Sequence, residues 1–243
     1  MNFSKHKHTD SLADGRIIAI MAKAPRAGSV KTRLAKNLPS SAVVDLYRCL
    51  LQDTVALAQS LDGVSVALVC PKTDVDDLQC SAGSQVRVIA QTGEGLAAGL
   101  TSVFAYFATA QRPRIVALNS DSPHLPASVL ANAFDALTAS DLVVGPTHDG
   151  GYYLVGATAS YPDLFASTAM GTSNALETLL LRAATLRLSV QFTEPFYDID
   201  VPDDLNRLAA ELQLDPTRAP RTAAWLVRRS RTQTNQRASA GIP

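Results

Sequence analysis

Several features that mark common function classes are scarce or missing in this 243-residue chain. It has three cysteines, Cys49, Cys70 and Cys80, with no CxxC pair among them. The three cannot all pair with one another, and a reduced, cytosolic compartment fits them best. Cys49 falls in a helix-like stretch and Cys70 at a strand end, where cysteine serves as a small buried hydrophobe. No apolar run approaches the ~20 residues of a membrane span. The opening MNFSKHKHTDSLADG has no signal-peptide apolar region, so residues 1–15 read as a disordered leader, with His6 and His8 at most weak metal ligands. Charge of one sign is not in excess: 22 Lys and Arg balance 22 Asp and Glu. No global field therefore draws in nucleic acid or membrane. There is no GxSxG elbow, which argues against a serine hydrolase of the α/β type, and no internal repeat.

What the chain does have is apolar content, 47% of residues, enough for one sizeable core. Short apolar strands alternate with amphipathic helical stretches. Strands are predicted at Arg16–Met21, Val64–Cys70, Val86–Ala90, Arg114–Asn119, Leu142–Gly145, Tyr152–Val155 and Val190–Thr193. Helices are predicted at Ser40–Ser60, capped by Ser40 or Ser41, and at Thr73–Gln79, Glu94–Ala110, Pro126–Thr138, Ser173–Ala184 and Pro202–Leu212. This order implies a mostly parallel sheet covered by helices on both faces. Residues 16–214 form the domain. Residues 215–243 form an Arg-rich tail, with no acidic residue from 216 onward and one apolar stretch, Ala223–Val227, that includes Trp225 and reads as a short helix able to pack on the body. From Thr232 the tail reads as disorder, and its arginines as solvated by default.

The most informative stretch is residues 22–36, AKAPRAGSVKTRLAK, which follows the first strand. It brings Lys23, Arg26, Lys31, Arg33 and Lys36 to one loop, where they repel one another unless an anion joins them. Gly28 lets backbone approach a phosphate, and the amides opening the next helix point the same way. The plain alternative is a solvated basic loop.

Three acidic clusters sit at strand ends. Asp121, in Asn119-Ser120-Asp121-Ser122-Pro123-His124, leaves a strongly apolar strand and is placed to hold a divalent cation, although a turn aspartate explains it too. Asp198 and Asp200 flank Ile199 and so share one side of an extended segment. Either one plus Asp121 would give the two-carboxylate site that phosphate chemistry uses. Asp203 and Asp204 are explained by the macrodipole of the helix they open. The third cluster, His148-Asp149-Gly150-Gly151-Tyr152-Tyr153, is satisfied as a hairpin turn alone, or it presents Asp149 and Tyr152 to a substrate. Gln91-Thr92-Gly93-Glu94 opens a helix and offers Gln91 to a nucleobase. Met170-Gly171-Thr172-Ser173-Asn174 precede another helix, where Thr172 and Ser173 cap it or help hold an anion.

Taken in order, KAPRAGSVKTRLA, QTGEGLAAGL, ALNSDSPHL, VVGPTHDGGYYLVG, GTSN and DIDVPDDL resemble a bacterial family of radical-SAM-associated transferases with the GT-A, or nucleotide-diphospho-sugar transferase, fold (the DUF2064 type). The resemblance runs from about Ile17 to Leu212. The chain is similar, more distantly, to 2-phospholactate guanylyltransferase and to molybdenum-cofactor nucleotidyltransferases. The resemblance implies a single-domain, Rossmann-like three-layer α/β/α sandwich with a mixed, mostly parallel sheet. It implies a signature loop on the nucleotide phosphates, with Ala22, Lys23, Gly28, Lys31, Arg33, Gln91 and Gly93 binding nucleotide. Asp121 with Asp198 or Asp200 would hold Mg²⁺ or Mn²⁺, and Lys31, Arg33 and Asp121 would act in catalysis. Asp149, Gly150, Gly151, Tyr152, Thr172 and Asn174 would line the acceptor pocket. Two departures stand out. The loop has one glycine where sugar-nucleotide pyrophosphorylases have a Gly-rich GxGxR. The Asp-x-Asp of glycosyltransferases is here Ser120-Asp121-Ser122.

The activity this implies is Mg²⁺-dependent nucleotidyl transfer from a nucleoside triphosphate to a small phosphorylated or carboxylated acceptor, with release of pyrophosphate. The alternative is glycosyl transfer from a nucleotide-sugar in the same cleft. A non-catalytic nucleotide-binding module is the third reading. The sequence leaves nucleobase, acceptor and oligomeric state open.

Overall fold

The computed structural model describes residues 15–82, 86–108, 113–166 and 173–239, with side chains to Thr232. Seven strands form one sheet: β1 (Arg16–Met21), β2 (Val64–Cys70), β3 (Arg87–Ala90), β4 (Arg114–Asn119), β5 (Leu142–Pro146), β6 (Tyr152–Ala157) and β7 (Val190–Phe192). Their order is β3-β2-β1-β4-β6-β5-β7. All neighbours are parallel except where β6 pairs, antiparallel, with β4 and β5. β1 lies between β2 and β4, and the chain runs outward from it on both sides. This is the switch point at which open α/β sheets bind ligands beyond the strands' carboxyl ends.

The helices are α1 (Ser40–Gln59), α2 (Val75–Ala82), α3 (Gly95–Phe107), α4 (Ala127–Ala136), α5 (Ala175–Thr185), α6 (Pro202–Leu214) and α7 (Pro220–Ser239). Strand alternation sorts them to two faces. Ile18 and Ile20 of β1 pack with Tyr47, Leu51 and Val55 of α1 and with α4. Ile17 and Ala19 pack with Leu100, Val103 and Phe104 of α3 and with α5. The three-layer α/β architecture is thus the one the sequence pattern implies. Among the described residues, no helix is long and apolar enough to cross a membrane.

Three local expectations are corrected. α1 begins after Pro39, which takes the N-cap position, and neither Ser40 nor Ser41 caps it. Likewise, α5 has no side-chain cap, with Asn174 at its N-cap. Around Trp225 the tail packs on the body, as its apolar stretch allows, rather than lying in solvent: α1 has a second apolar face, Val43, Leu46 and Leu50, which packs with α6 and with Ala219, Ala223 and Trp225. Asp53, buried in α1, accepts hydrogen bonds from the Thr222 amide and hydroxyl, both at 2.8 Å, and so satisfies the open N-terminus of α7. The helix then runs to Ser239, past Thr232, where composition alone implies disorder.

Candidate active site

The carboxyl ends of β1, β2, β3 and β4 open on one edge of the sheet, and the loops that follow them build the site. The 22–36 loop is fixed first by hydrogen bonds from its own backbone. The Ala22 amide donates to Val69 O at 2.9 Å and the Lys23 amide to the Tyr47 hydroxyl at 3.1 Å. The Ala24 amide donates to the Asp74 carboxylate at 2.8 Å. Asp74 also accepts from Arg26 at 2.8 Å, and Arg26 reaches Asp77 and Thr73 O as well. Arg26 is therefore a clamp between this loop and the turn after β2. Lys23 and Lys36 are exposed. Gly28 takes a left-handed φ of 78°, and Lys31, without the same freedom, takes 46°.

That turn drives Lys31 inward. Its side chain is 4% exposed, and its Nζ donates to Asp121 and, at 2.8 Å, to Asp200. Burial works against the Lys31 charge, but the two carboxylates outweigh it and hold the pKa above the usual lysine range. Arg33, 67% exposed, lies 3.5 Å from the other Asp200 oxygen. Burial raises the Asp200 pKa less than Lys31 and Arg33 lower it, so Asp200 lies below the ordinary carboxylate range.

The acidic wall is assembled from β4 and from the strand-like segment before α6. Ile199 is fully buried in the third core, so Asp198 and Asp200 are left facing the site together, as their spacing implies. Asp204 accepts from the amides of Asp200 and Val201 at 2.9 and 2.8 Å and fixes the segment at the head of α6. Asn119 donates to Asp198 at 3.0 Å and to Ser122 at 3.0 Å. Burial first, and then the charge of Asp121, push Asp198 up to about 8. Two buried acceptors, Asp121 Oδ1 and Asn119 Oδ1, have no hydrogen-bond donor. Tyr47 bridges loop and wall: it takes the Lys23 amide and lies 2.9 Å from the Ser120 hydroxyl.

Two cavities meet along this charged seam. The first, about 790 Å³, is lined by Ala22, Lys23, Lys31, Tyr47, Lys72, Thr73, Gln91 and Gly93, among others. The second, about 720 Å³, is lined by Arg33, Asn119, Thr147, Asp149, Gly151, Tyr152, Ser173 and Asp198, among others. Asp121 and Asp200 line both. The expected cationic pair is thus split, with Lys31 at the first cavity and Arg33 at the second. Gln91 lines the first, but its amide nitrogen is spent on Gly93 O and Gly95 O at 3.0 and 3.2 Å, bracing a loop whose glycines take φ of 81° and 80°. Burial holds the Tyr152 phenol above its usual pKa.

The 148–151 turn is satisfied internally and also borders the second cavity. The Asp149 carboxylate accepts from Thr147 at 2.6 Å and from the Gly151 amide at 3.3 Å, while the same residue lines the second cavity. Gly150 has φ 88°, and a Cβ there would lie 2.0 Å from Ser173 O, so the turn is packed against the start of α5. Gly28, Gly150 and Asn174 lie next to the cavities without lining them. Thr172 lies outside the described residues.

Among the described residues, no three His, Cys, Asp or Glu side chains form a group able to hold a metal ion. One or two carboxylates with open coordination is instead what Mg²⁺ takes when phosphates supply the rest. The donor-free Asp121 Oδ1, and the burial and neighbouring carboxylate charge that raise the Asp198 pKa, fit that arrangement. Sequence reasoning does not single out Tyr47, Asp74 or Thr147. Tyr47 is hidden in the apolar stripe of α1, and Asp74 reads as an ordinary residue at the head of a helix.

Residues 54–172 match the model of a family described as an uncharacterized protein conserved in bacteria, DUF2064, which bears out the resemblance read from the motifs. No curated protein sequence matches the chain. Among solved structures, a candidate nucleotide-diphospho-sugar transferase from Desulfovibrio desulfuricans G20 is 26% identical, with a TM-score of 0.81 over 91% of this chain and 97% of that one. The inositol-1-phosphate CTP transferase of T. maritima shares the fold at 16% identity, with a TM-score of 0.57 over 82% and 95% of the two chains. So does 4-diphosphocytidyl-2C-methyl-D-erythritol synthase from Anaerococcus prevotii DSM 20548, at 14% identity, with a TM-score of 0.53 over 84% and 100%. The chain has the fold of nucleotidyl- and nucleotide-sugar transferases and is a transferase-like enzyme.

Proposed function

We propose that this chain, whose residues 54–172 carry the DUF2064 pattern, transfers a nucleotidyl group in the cytoplasm. An acceptor oxygen attacks the α-phosphorus of a nucleoside triphosphate. A bond from the acceptor oxygen to phosphorus forms, the α–β phosphoanhydride bond breaks, and pyrophosphate leaves. The observation that supports this reading is the pair of cavities meeting at Asp121 and Asp200, with Lys31 between the two carboxylates. One cavity would take the triphosphate and the other the acceptor, so that the reacting atoms meet at the seam.

In this reading Lys31 turns from the carboxylates to the phosphates, and Arg33 reaches in from the rim. Both stabilise the charge that develops on the leaving pyrophosphate. Asn119 and the Asp204 cap hold Asp198 and Asp200 in place. No protein nucleophile is required, because positioning supplies much of the rate. Mg²⁺ or Mn²⁺, held by Asp121 with Asp198 or Asp200, would supply Lewis-acid neutralisation of phosphate charge. The phosphorylated or carboxylated acceptor implied by the resemblance would occupy the second cavity.

Glycosyl transfer from a nucleotide-sugar is the second reading. It is favoured by the 26% identity to the candidate nucleotide-diphospho-sugar transferase. The sugar would then occupy the second cavity, with Asp149 as base. A non-catalytic module fits least well, since it gives no reason to keep cations and carboxylates together in one cleft. The test is pyrophosphate release from each of the four triphosphates across a panel of small acceptors, beside thermal-shift titrations with triphosphates and UDP- or GDP-sugars. Turnover, or Mg²⁺-dependent binding of a triphosphate, is expected. Stabilisation by nucleotide-sugars alone moves the assignment to glycosyl transfer. No turnover and no Mg²⁺-dependent triphosphate binding overturns nucleotidyl transfer.

A further inference from the structure

The first cavity runs along the ends of the strands, and its two ends differ in chemistry. Lys31, Asp121 and Asp200 lie beyond β1 and β4 and pair with one another, and Lys23 belongs to the same loop as Lys31. The far end is formed by Pro71, Lys72 and Thr73 after β2 and by Gln91, Gly93 and Glu94 after β3. Because β3 is two strands from β1, the ends are about 10 Å apart at ~4.8 Å per strand. A nucleotide whose phosphates meet Lys31 therefore presents its base to the loops after β2 and β3.

Most polar groups at that end are already spent. Gln91 donates to Gly93 O and Gly95 O, and its side-chain oxygen is turned onto α3, where a Cβ at Gly99 would lie 2.8 Å from it. The Thr73 hydroxyl donates to Asp74 at 3.1 Å, and the Thr73 carbonyl accepts from Arg26. Two side chains are left over. Among the described residues, Lys72 and Glu94 form no hydrogen bond or ion pair, and although they line one cavity with opposite charges they do not pair with each other. Glu94 stands between two left-handed glycines, Gly93 and Gly95, and is itself extended, with φ −110° and ψ 149°. It occupies the N-cap position of α3, but its carboxylate caps nothing, and glutamate is not a residue that capping favours. A carboxylate in a cavity that takes a polyphosphate opposes binding unless donors on the ligand meet it.

The edges of the bases decide which one brings those donors. A carboxylate accepts two hydrogen bonds side by side. Guanine offers two adjacent donors, N1–H and the N2 amino group, with the O6 acceptor next to them for an ammonium. Adenine and cytosine place one amino group beside a ring-nitrogen lone pair, which faces the second carboxylate oxygen. Uracil has one N–H between two carbonyl oxygens. We infer that Glu94, together with Lys72, selects guanine, so that the nucleotide this chain uses is a guanine nucleotide. This rests on the transferase reading above and names its base. Gln91, the residue that sequence reasoning offers to the base, instead braces the turn that carries Glu94.

The test is calorimetric titration of the full-length protein, with Mg²⁺, against the β,γ-imido analogues of GTP, ITP, ATP, CTP and UTP, beside GDP and CDP. Inosine keeps O6 and N1–H and lacks only the N2 amino group. The guanine analogue is expected to bind about tenfold or more tightly than each of the others, as a hydrogen bond to a charged group predicts. Glu94→Gln exchanges one acceptor oxygen for a donor at nearly constant size. It should bring the guanine-to-inosine ratio close to one and leave the unfolding midpoint of the nucleotide-free protein unchanged. Lys72→Met removes a charge from the same cavity and should weaken both analogues alike, leaving their ratio in place. Equal or tighter binding of the adenine, cytosine or uracil analogue overturns the inference. So does a guanine-to-inosine ratio near one in the unmodified protein, a ratio that survives Glu94→Gln, or a ratio that falls equally in both variants. A preference for GDP over CDP without triphosphate binding keeps the base assignment and moves the chemistry to glycosyl transfer. Failure of every nucleotide to bind overturns the transferase reading and the base assignment together.

Discussion

Lys31 is buried with two carboxylates and held there by a backbone conformation that lysine adopts at a cost of ~1–3 kcal/mol. A cation on four flexible carbons would ordinarily reach solvent. Here it offsets the repulsion between Asp121 and Asp200, which at an effective dielectric of ~20 is worth several kcal/mol at contact distance. Lys31 and a divalent cation therefore compete for the same oxygens, and Lys31 and the cation both attract phosphate. Lys31→Met should separate the two effects. Without nucleotide, the variant should bind Mn²⁺ about tenfold more tightly than the unmodified protein. In contrast, it should bind triphosphate more weakly, because a phosphate-facing charge is gone. Mn²⁺ titration by electron paramagnetic resonance, beside equilibrium binding of a non-hydrolysable triphosphate, reads both. Unchanged or weaker Mn²⁺ binding would mean that Lys31 does not stand in for the cation.

At the scale of elements, the site depends on loops tied to other loops. Asp74, at the head of the helix after β2, accepts from the Ala24 amide and from Arg26, so one carboxylate sets the path of the 22–36 loop. Asp74→Ala should leave the sheet intact and weaken triphosphate binding by about tenfold, with a smaller effect on turnover once the nucleotide is saturating. A variant with unaltered triphosphate affinity would remove Asp74 from the positioning of that loop. The elements themselves are readable from the chain: all seven strands and six of the helices fall where apolar periodicity places them, with ends displaced by a few residues. What periodicity cannot reveal is the use of polar residues within apolar stripes. Asp53 and Tyr47 sit on α1 among core positions, and only the packed structure shows that one closes the N-terminus of α7 and the other joins Lys23 to Ser120. The apolar stretch around Trp225 allows the tail to dock, but the anchor that fixes it is hidden from sequence reasoning for this reason. The tail's arginines suggest solvent, while the anchor that holds it, Asp53, lies about 170 residues earlier in the chain.

For the whole molecule, the sheet order explains why residues as distant as Lys31, Asp121 and Asp200 can be grouped from the sequence alone. Parallel strands on either side of a switch point deliver their following loops to one edge. The charge balance across that edge is not legible in the same way, because which carboxylates crowd, and which cation sits between them, depends on side-chain direction. The balance has a consequence for the stability of the molecule as a function of pH. His124 is fully buried, without a hydrogen-bond partner on either ring nitrogen. Burial, and then Arg218 and Arg207, push it from 6.5 down to about 3. The unfolded chain takes up that proton near pH 6.5 and the folded chain refuses it, so stability falls as the pH drops from 6.5 toward 3. Asp198 has the opposite slope. Burial, with Asp121, Asp200 and Asp149 adding and Lys31 opposing, pushes it from 3.8 up to about 8. The unfolded chain ionises near 4 and the folded chain near 8, so stability falls as the pH rises across that interval. Each slope has a limit of ~1.4 kcal/mol per pH unit. Where the two overlap, between about 4 and 6.5, they cancel, and the metal-free protein should show a plateau bounded by a fall on either side. His124→Phe, which keeps a ring against Phe196 and Tyr197, should convert the plateau into a decline with rising pH. Asp198→Asn should convert it into a rise with pH that levels off above 6.5. Urea midpoints from pH 3 to 8 in the presence of a chelator measure all three profiles. A profile that is identical in the three proteins would mean that neither group carries the proton linkage. Saturating Mg²⁺ with triphosphate should abolish the alkaline fall of the unmodified protein, because a bound cation favours the ionised form of Asp198, and should leave the acid limb of His124 in place.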